Sequence, residues 1–226
     1  MIAHYVDALM ANATLSEADS KALLASFGLP IGVEVAATGV DDAVLAADAI
    51  GFPVVVKLCG DAIAHKTERG LVRLNLGDGA AVRGAASDLL QLATEADGAV
   101  SLLVARMVHG QRELIAGVAR DAQFGAVVML GVGGVLAEAV ADVVFRLVPV
   151  DRADGAEMIE DLASQRLLGP WRGEPAVERE RLIDVIVALS DVIVARPDVM
   201  AIDVNPVIIS NGVPVAVDAL VEVVVQ

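Results

Sequence analysis

Apolar and polar residues along this chain recur with two periods, and the period switches from segment to segment. Helical spacing covers 16–27 and stops at Gly28-Leu29-Pro30, where a glycine and a proline end a helix. An apolar stretch at 33–37 predicts a short strand, and helical spacing returns over 41–50 with Asp41 or Asp42 as the N-cap. The β-branched run from Pro53 to Leu58 predicts a buried strand, and 71–76 a second. A helix is expected over 80–96, then strands at 102–106, 114–120 and 126–130, a glycine loop and a strand at 143–148. Helices over 154–162 and 177–196 precede a final hairpin. The alternation predicts an α/β protein, with a boundary near Gly98 dividing it into two unequal lobes, 1–98 and 99–226.

The final hairpin carries the densest information. Two apolar runs flank Asn211-Gly212, the dipeptide that best tolerates the two positive φ angles of a type I′ turn. In the first run Asp203 and Asn205 are two apart, so in a strand they share a face. The turn brings Asp218 back towards them. Two carboxylates and an amide oxygen converging from apolar strands form a hard, oxygen-rich pocket of the kind Mg2+ shared with nucleotide phosphates requires. Taken alone, the same pattern also describes the solvated face of an amphipathic hairpin.

Composition narrows the field. Hydrophobic residues make up 56% and aromatics 3%, so Ala and Val carry the apolar load and the chain is long enough for one large domain or two small ones. The longest apolar runs, such as 126–130, fall far short of the roughly 20 residues that span a bilayer. The N-terminus shows no basic region followed by an apolar stretch, so no signal peptide is expected. Cys59 is the single cysteine, which excludes an internal disulfide and points to the cytosol. A net charge of −15 argues against nucleic acid, whose phosphates it would repel.

Four further constellations carry chemistry. Lys57 ends an otherwise apolar strand, where a buried ammonium has to reach water or meet an anion such as a nucleotide phosphate. The polar loop that follows, 61–70, holds His65 between charges of both signs, Lys66 and Arg69 among them, and closes on Gly70. Around Gly110, a strand ending in Arg106-Met107-Val108 offers backbone groups to an adenine, and Glu113 opens the next strand with a carboxylate able to accept from ribose hydroxyls. Last, Gly131-Val-Gly133-Gly134 joins a strand to a short helix and can present N–H groups to phosphate. Each of the four has an ordinary structural explanation when taken singly.

In order and spacing, these motifs resemble one family. The run Pro53 to Lys57, His65-Lys66-Thr67-Glu68, Gly110-Gln-Arg-Glu113, Arg120-Asp121 to Phe124-Gly125, Gly131 to Gly134, Phe145-Arg146 and Asp203-Val-Asn205-Pro206 up to Asp218 is similar to the ATP-grasp β subunit of ADP-forming acyl-CoA (acetyl-CoA) synthetases, relatives of succinyl-CoA synthetase. The resemblance covers about 15–224. It implies an ATP-grasp fold of two α/β subdomains enclosing a nucleotide cleft, with ATP or ADP and Mg2+ as cofactors. It also implies a CoA-binding partner that carries a phosphohistidine. In that family Lys57 matches the lysine on the nucleotide phosphates, and Arg106, Met107 and Val108 the base-contacting segment. Glu113 matches the ribose acid, Gly133 and Gly134 the glycine loop, Asp203, Asn205 and Asp218 the metal site, and His65 the histidine relaying the phosphoryl group. Two positions depart from the pattern: Arg106 stands where a glutamate is expected, and Arg69-Gly70 replaces a glycine pair. Two alternatives stay open: a non-catalytic nucleotide-binding scaffold, and an ATP-grasp piece of a fused synthetase or acyltransferase.

Overall fold

Strand pairing sorts the chain into two sheets in a computed structural model that describes residues 13–60, 63, 66, 69–134 and 137–224, without the side chains of Glu138 and Ala139. The elements begin β1 (Ala13–Thr14), α1 (Glu17–Ser26), β2 (Glu34–Ala37), α2 (Val40–Ile50), β3 (Val54–Gly60), β4 (Val72–Leu76) and α3 (Gly79–Gln91). A 3-10 turn at Glu95–Asp97 leads to β5 (Val100–Arg106), β6 (Arg112–Asp121), β7 (Gly125–Val132), α4 (Ala137–Val140) and β8 (Val143–Leu147). The chain continues through α5 (Arg152–Asp161), α6 (Gln165–Leu168) and α7 (Arg179–Ala195) to β9 (Val199–Ser210), β10 (Val213–Ala216) and β11 (Leu220–Val223). Of these residues, one unit holds 13–15, 20–31 and 109–224, and the other holds 16–19 and 32–108.

The smaller unit is an antiparallel sheet in the order β2-β5-β3-β4. Helices α2 and α3 cover one face. Ala43, Ala47 and Ile50 of α2 and Val82, Ala86 and Leu89 of α3, spaced by three or four, pack on Val54, Val56 and Leu58 of β3. Small alanines let the helices lie close to the sheet. By the period of a strand, Val55, Lys57 and Cys59 point to the other face, yet each is also buried.

The larger unit is a seven-stranded sheet, β1-β11-β9-β6-β7-β8, with β10 also paired to β9. The apolar stripe of α7, including Leu182, Val185, Ile186, Leu189 and Val192, buries Leu114, Ala116 and Val118 of β6 and Ile202, Val204, Val207 and Ile209 of β9. The core positions of β9 skip from 204 to 207. The register shows why: Leu114 faces Val207 while Ala116 faces Val204, so a bulge in β9 falls at Asn205-Pro206. Core burial on both sides of the bulge leaves Glu113, Asp203 and Asn205 on the sheet face turned away from α7.

Several expectations are corrected. The lobe boundary lies between Val108 and His109 rather than at Gly98, because β5 pairs with β2 and β3 and belongs to the smaller sheet. The helix expected over 80–96 ends at Gln91, and Thr94 and Asp97 then cap each other across the 3-10 turn. Gly39, not Asp41 or Asp42, is the N-cap of α2; both acids sit in its first turn, where they favour the helix dipole. The final hairpin gains a third strand, β11, which returns along the first half of β9.

Candidate functional site

Lys57 is 7% exposed, and its burial is explained by a protein anion. Its Nζ donates to Oε1 of Glu17 at 2.6 Å, while Nζ of Lys66 lies 2.9 Å from Oε2 of the same carboxylate. Glu17 opens α1 and its side chain is fully buried, so one carboxylate holds two lysines in a place where ions are rarely left unpaired. Cys59 lies on the same sheet face. Burial, joined by the negative charge of Glu17, pushes its thiol above the ordinary range, against the backbone N–H groups of Ala18 and Glu17 and the positive charge of Lys66.

The loop after β3 is tied at two of its described residues. Lys66 is held by Glu17, and its carbonyl accepts from the N–H of Leu71 at 2.8 Å. Arg69 makes a two-pronged pair with Asp97, at 2.7 and 3.0 Å. That guanidinium, with the Thr94 N–H and hydroxyl, holds the Asp97 carboxyl well below the usual carboxylate range. Arg69, the departure from a glycine pair, therefore works as an anchor. His65 lies outside the described residues.

At the end of β5 the Arg106 guanidinium donates to the Ile50 carbonyl at 2.7 Å, bracing the end of α2. The Arg106 N–H goes to Val33 at 2.9 Å and the Met107 N–H to Pro53 at 3.1 Å. The Arg106 side chain thereby faces the C-terminal end of α2.

In the larger unit, Glu113 and the glycine loop come together. The Gly133 N–H donates to the Glu113 carbonyl at 2.8 Å, and a Cβ at Gly133 would sit 3.1 Å from the backbone of Leu114. Gly134, at φ +80°, would place a Cβ 3.6 Å from Oε2 of Glu113. Glycine is needed at both places: at one for close backbone approach, at the other for a left-handed turn beside the carboxylate. The expectation that this loop offers its N–H groups to phosphate is corrected for Gly133, whose N–H closes the loop onto β6. Buried Arg112 fixes the strand beside Glu113, with Nε on Glu174 at 3.1 Å and further N–H groups on the Leu167, Gly169 and Pro175 carbonyls.

Two of the three expected metal ligands, Asp203 and Asn205, lie on β9, and the third, Asp218, lies between β10 and β11. Asn211 and Gly212 both have positive φ, as a type I′ turn requires, and the hairpin pairs Ala216 with Val207. Next, the Val217 N–H donates to the Pro206 carbonyl at 3.2 Å, and Leu220 pairs with Asp203. Asp218 therefore falls opposite the bulge that carries Asn205. Asp203 faces Gly117 across β6, a neighbour with no side chain to crowd it. Asp203 and Asp218 are half-buried and Asn205 is exposed. Among the described residues no three His, Cys, Asp or Glu side chains form a metal cluster. An all-oxygen set of two carboxylates and an amide suits a hard cation such as Mg2+.

Glu17 and Asp97 were not anticipated from the sequence. The available signal was indirect: a lysine in an apolar strand demands an anion, but the acid answering Lys57 lies 40 residues away.

A family model described as an ATP-grasp domain matches residues 8–223. The chain is 34% identical over 211 residues to the acetate–CoA ligase [ADP-forming] I subunit beta of Pyrococcus furiosus, covering 92% of this chain and 91% of that one. It is also 34% identical over 194 residues to the acetate–CoA ligase [ADP-forming] I of Archaeoglobus fulgidus, covering 80% of this chain and 28% of that longer protein. Among solved structures, the Ca. Korarchaeum cryptofilum dinucleotide-forming acetyl-coenzyme A synthetase 1, in complex with coenzyme A and Ca-AMPCP, superposes with a TM-score of 0.87 at 31% identity, covering 93% of both chains. The same enzyme with coenzyme A and Mg-AMPPCP, its phosphohistidine segment pointing towards the nucleotide site, gives a TM-score of 0.80 at 32% identity and the same coverage.

Proposed function

We infer that this chain, which belongs to the ATP-grasp family of ADP-forming acetyl-CoA synthetase β subunits, is the nucleotide-handling subunit of an acyl-CoA synthetase. The reaction interconverts acyl-CoA, ADP and phosphate with a carboxylic acid, CoA and ATP. It requires a CoA-binding partner carrying a phosphohistidine, on which the choice of acid rests. The observation that supports this reading best is that Asp203 and Asn205 share a sheet face with Glu113, whose carboxylate lies against Gly134, while the chain returns past the Asn205 bulge at Val217, next to Asp218.

In this reading Glu113 accepts from the ribose hydroxyls, Met107 and Val108 bind the base through their backbone, and Lys57 places an ammonium on the nucleotide phosphates. Mg2+, when bound at Asp203, Asn205 and Asp218, neutralises phosphate charge during transfer. His65 takes the phosphoryl group from the partner's histidine: the partner's N–P bond breaks as an N–P bond to the His65 imidazole forms. A β-phosphate oxygen of ADP then displaces the imidazole, giving ATP and free His65. No helix of the described residues is long and apolar enough to cross a membrane, and the lone Cys59 supports a place in the cytoplasm.

The test is reconstitution. The chain alone binds Mg-ADP and turns over no acyl-CoA; adding a phosphorylated partner produces ATP. His65→Ala blocks that transfer and keeps nucleotide affinity within about threefold, because the relay acts only in the transfer step. Transfer at the wild-type rate in His65→Ala removes the histidine from the mechanism, and failure to bind nucleotide at millimolar ADP favours a scaffold. A second reading, a domain of a fused synthetase, draws support from the longer Archaeoglobus relative. The size of the native polypeptide decides it.

A further inference from the structure

Glu17 belongs to none of the roles assigned above, yet it is the most deeply buried ion beside the phosphate lysine. Its side chain is fully buried, and its two oxygens engage two different cations, Lys57 of β3 at 2.6 Å and Lys66 of the following loop at 2.9 Å. Both lysines are 7% exposed, so neither ammonium has bulk water as its alternative partner. Lys57 stands in a strand whose register is fixed by Leu103 on one side and Val72 on the other. Lys66 stands in a loop whose return to β4 is held by the Leu71 N–H on the Lys66 carbonyl. One carboxylate thus fixes the Lys57 head group and the start of the loop's return to each other.

We propose that Glu17 is a positioning residue for phosphate binding, bridging Lys57 and Lys66 so that the Lys57 ammonium is presented to the nucleotide phosphates. The proposal rests on the nucleotide reading above. Removing the negative charge while keeping the shape leaves two buried ammoniums facing one amide. That amide accepts well from only one of them, and the two cations repel each other. Lys57 then loses its orientation. Base and ribose groups, contributed by Met107, Val108 and Glu113, do not depend on Glu17.

The test compares Mg-ADP and adenosine binding in four forms of the full chain: wild type, Glu17→Gln, Lys66→Met and the double variant. Glu17→Gln lowers Mg-ADP affinity about tenfold, within the usual coupling range of groups sharing a buried ion network, and leaves adenosine affinity within about twofold. Lys66→Met removes one arm of the bridge but keeps the Glu17–Lys57 pair, and lowers Mg-ADP affinity by less than Glu17→Gln does. The double variant recovers most of the loss, because the amide then serves Lys57 alone. A purely structural Glu17 would lower adenosine and Mg-ADP affinity together and show no recovery in the double variant. Should Glu17→Gln not fold, Glu17→Asp replaces it, with the same ligand dependence and a smaller drop. Mg-ADP affinity in Glu17→Gln equal to or above wild type overturns the proposal while leaving the nucleotide reading intact; a wild-type chain that binds no Mg-ADP removes that reading and the proposal with it.

Discussion

The two units present their polar groups in opposite ways. In the smaller, Lys57 and Lys66 are sunk in the protein and answered by the buried carboxylate of Glu17. In the larger, Asp203 and Asp218 are half-buried and Asn205 is exposed, arrayed on a sheet face beside a bulge. Buried ions must be paired at home because desolvation costs more than most single contacts return. Half-exposed carboxylates remain open to a cation from solution. The contrast teaches that a group's readiness for a ligand and its weight in stability are separate properties.

The contrast is broken most forcefully at Lys57. Lys57→Ala leaves Glu17 with Lys66 as its remaining described cation and destabilises the chain by about 3 kcal/mol, since removing one member of a buried ion network strands the other. Urea denaturation measures it; a loss under about 1 kcal/mol would mean the network relaxes freely. Gly134→Ala comes next, at about 1–2 kcal/mol, because a side chain is forced to φ +80° beside Glu113. Asn205→Ala changes stability by less than about 1 kcal/mol, as expected for an exposed side chain away from the core.

The spacing of residues explains how much of this was legible. Asp203 and Asn205 share a face by the period of a strand, and Asn211-Gly212 reports its own turn, so the larger unit's oxygen set could be read from a short stretch of sequence. The bulge was not legible, because it depends on Ile115 of β6 standing alone opposite two residues of β9, Asn205 and Pro206. In the smaller unit Lys57 declared a need for an anion, but its partner sits on a different element, and no local period links a helix start to a strand end. The boundary near Gly98 failed for the same reason: the pairing of β5 with β2 and β3 is a long-range fact.

The smallest expected effect concerns Asp97, whose carboxyl is held below the ordinary aspartate value of about 3.9 by Arg69 and the Thr94 donors. Because the folded form binds its proton less readily than the unfolded form, its contribution is fully present above about pH 4 and is lost as pH falls below that. Asp97→Asn therefore lowers stability modestly at pH 7 and flattens the acid limb of the stability curve. An unchanged acid limb would show that Arg69 does not hold the carboxylate in solution.

In the proposed function, the β9 bulge and the β10–β11 return build a Mg2+-dependent nucleotide site. Calorimetric titration of the chain with ADP, with and without Mg2+, in wild type and Asp218→Ala, tests it most directly. One Mg2+-dependent binding event is expected in wild type, abolished in an Asp218→Ala protein that still unfolds cooperatively. Equal Mg-ADP binding in the two proteins would contradict it and reduce Asp203, Asn205 and Asp218 to a solvated sheet face.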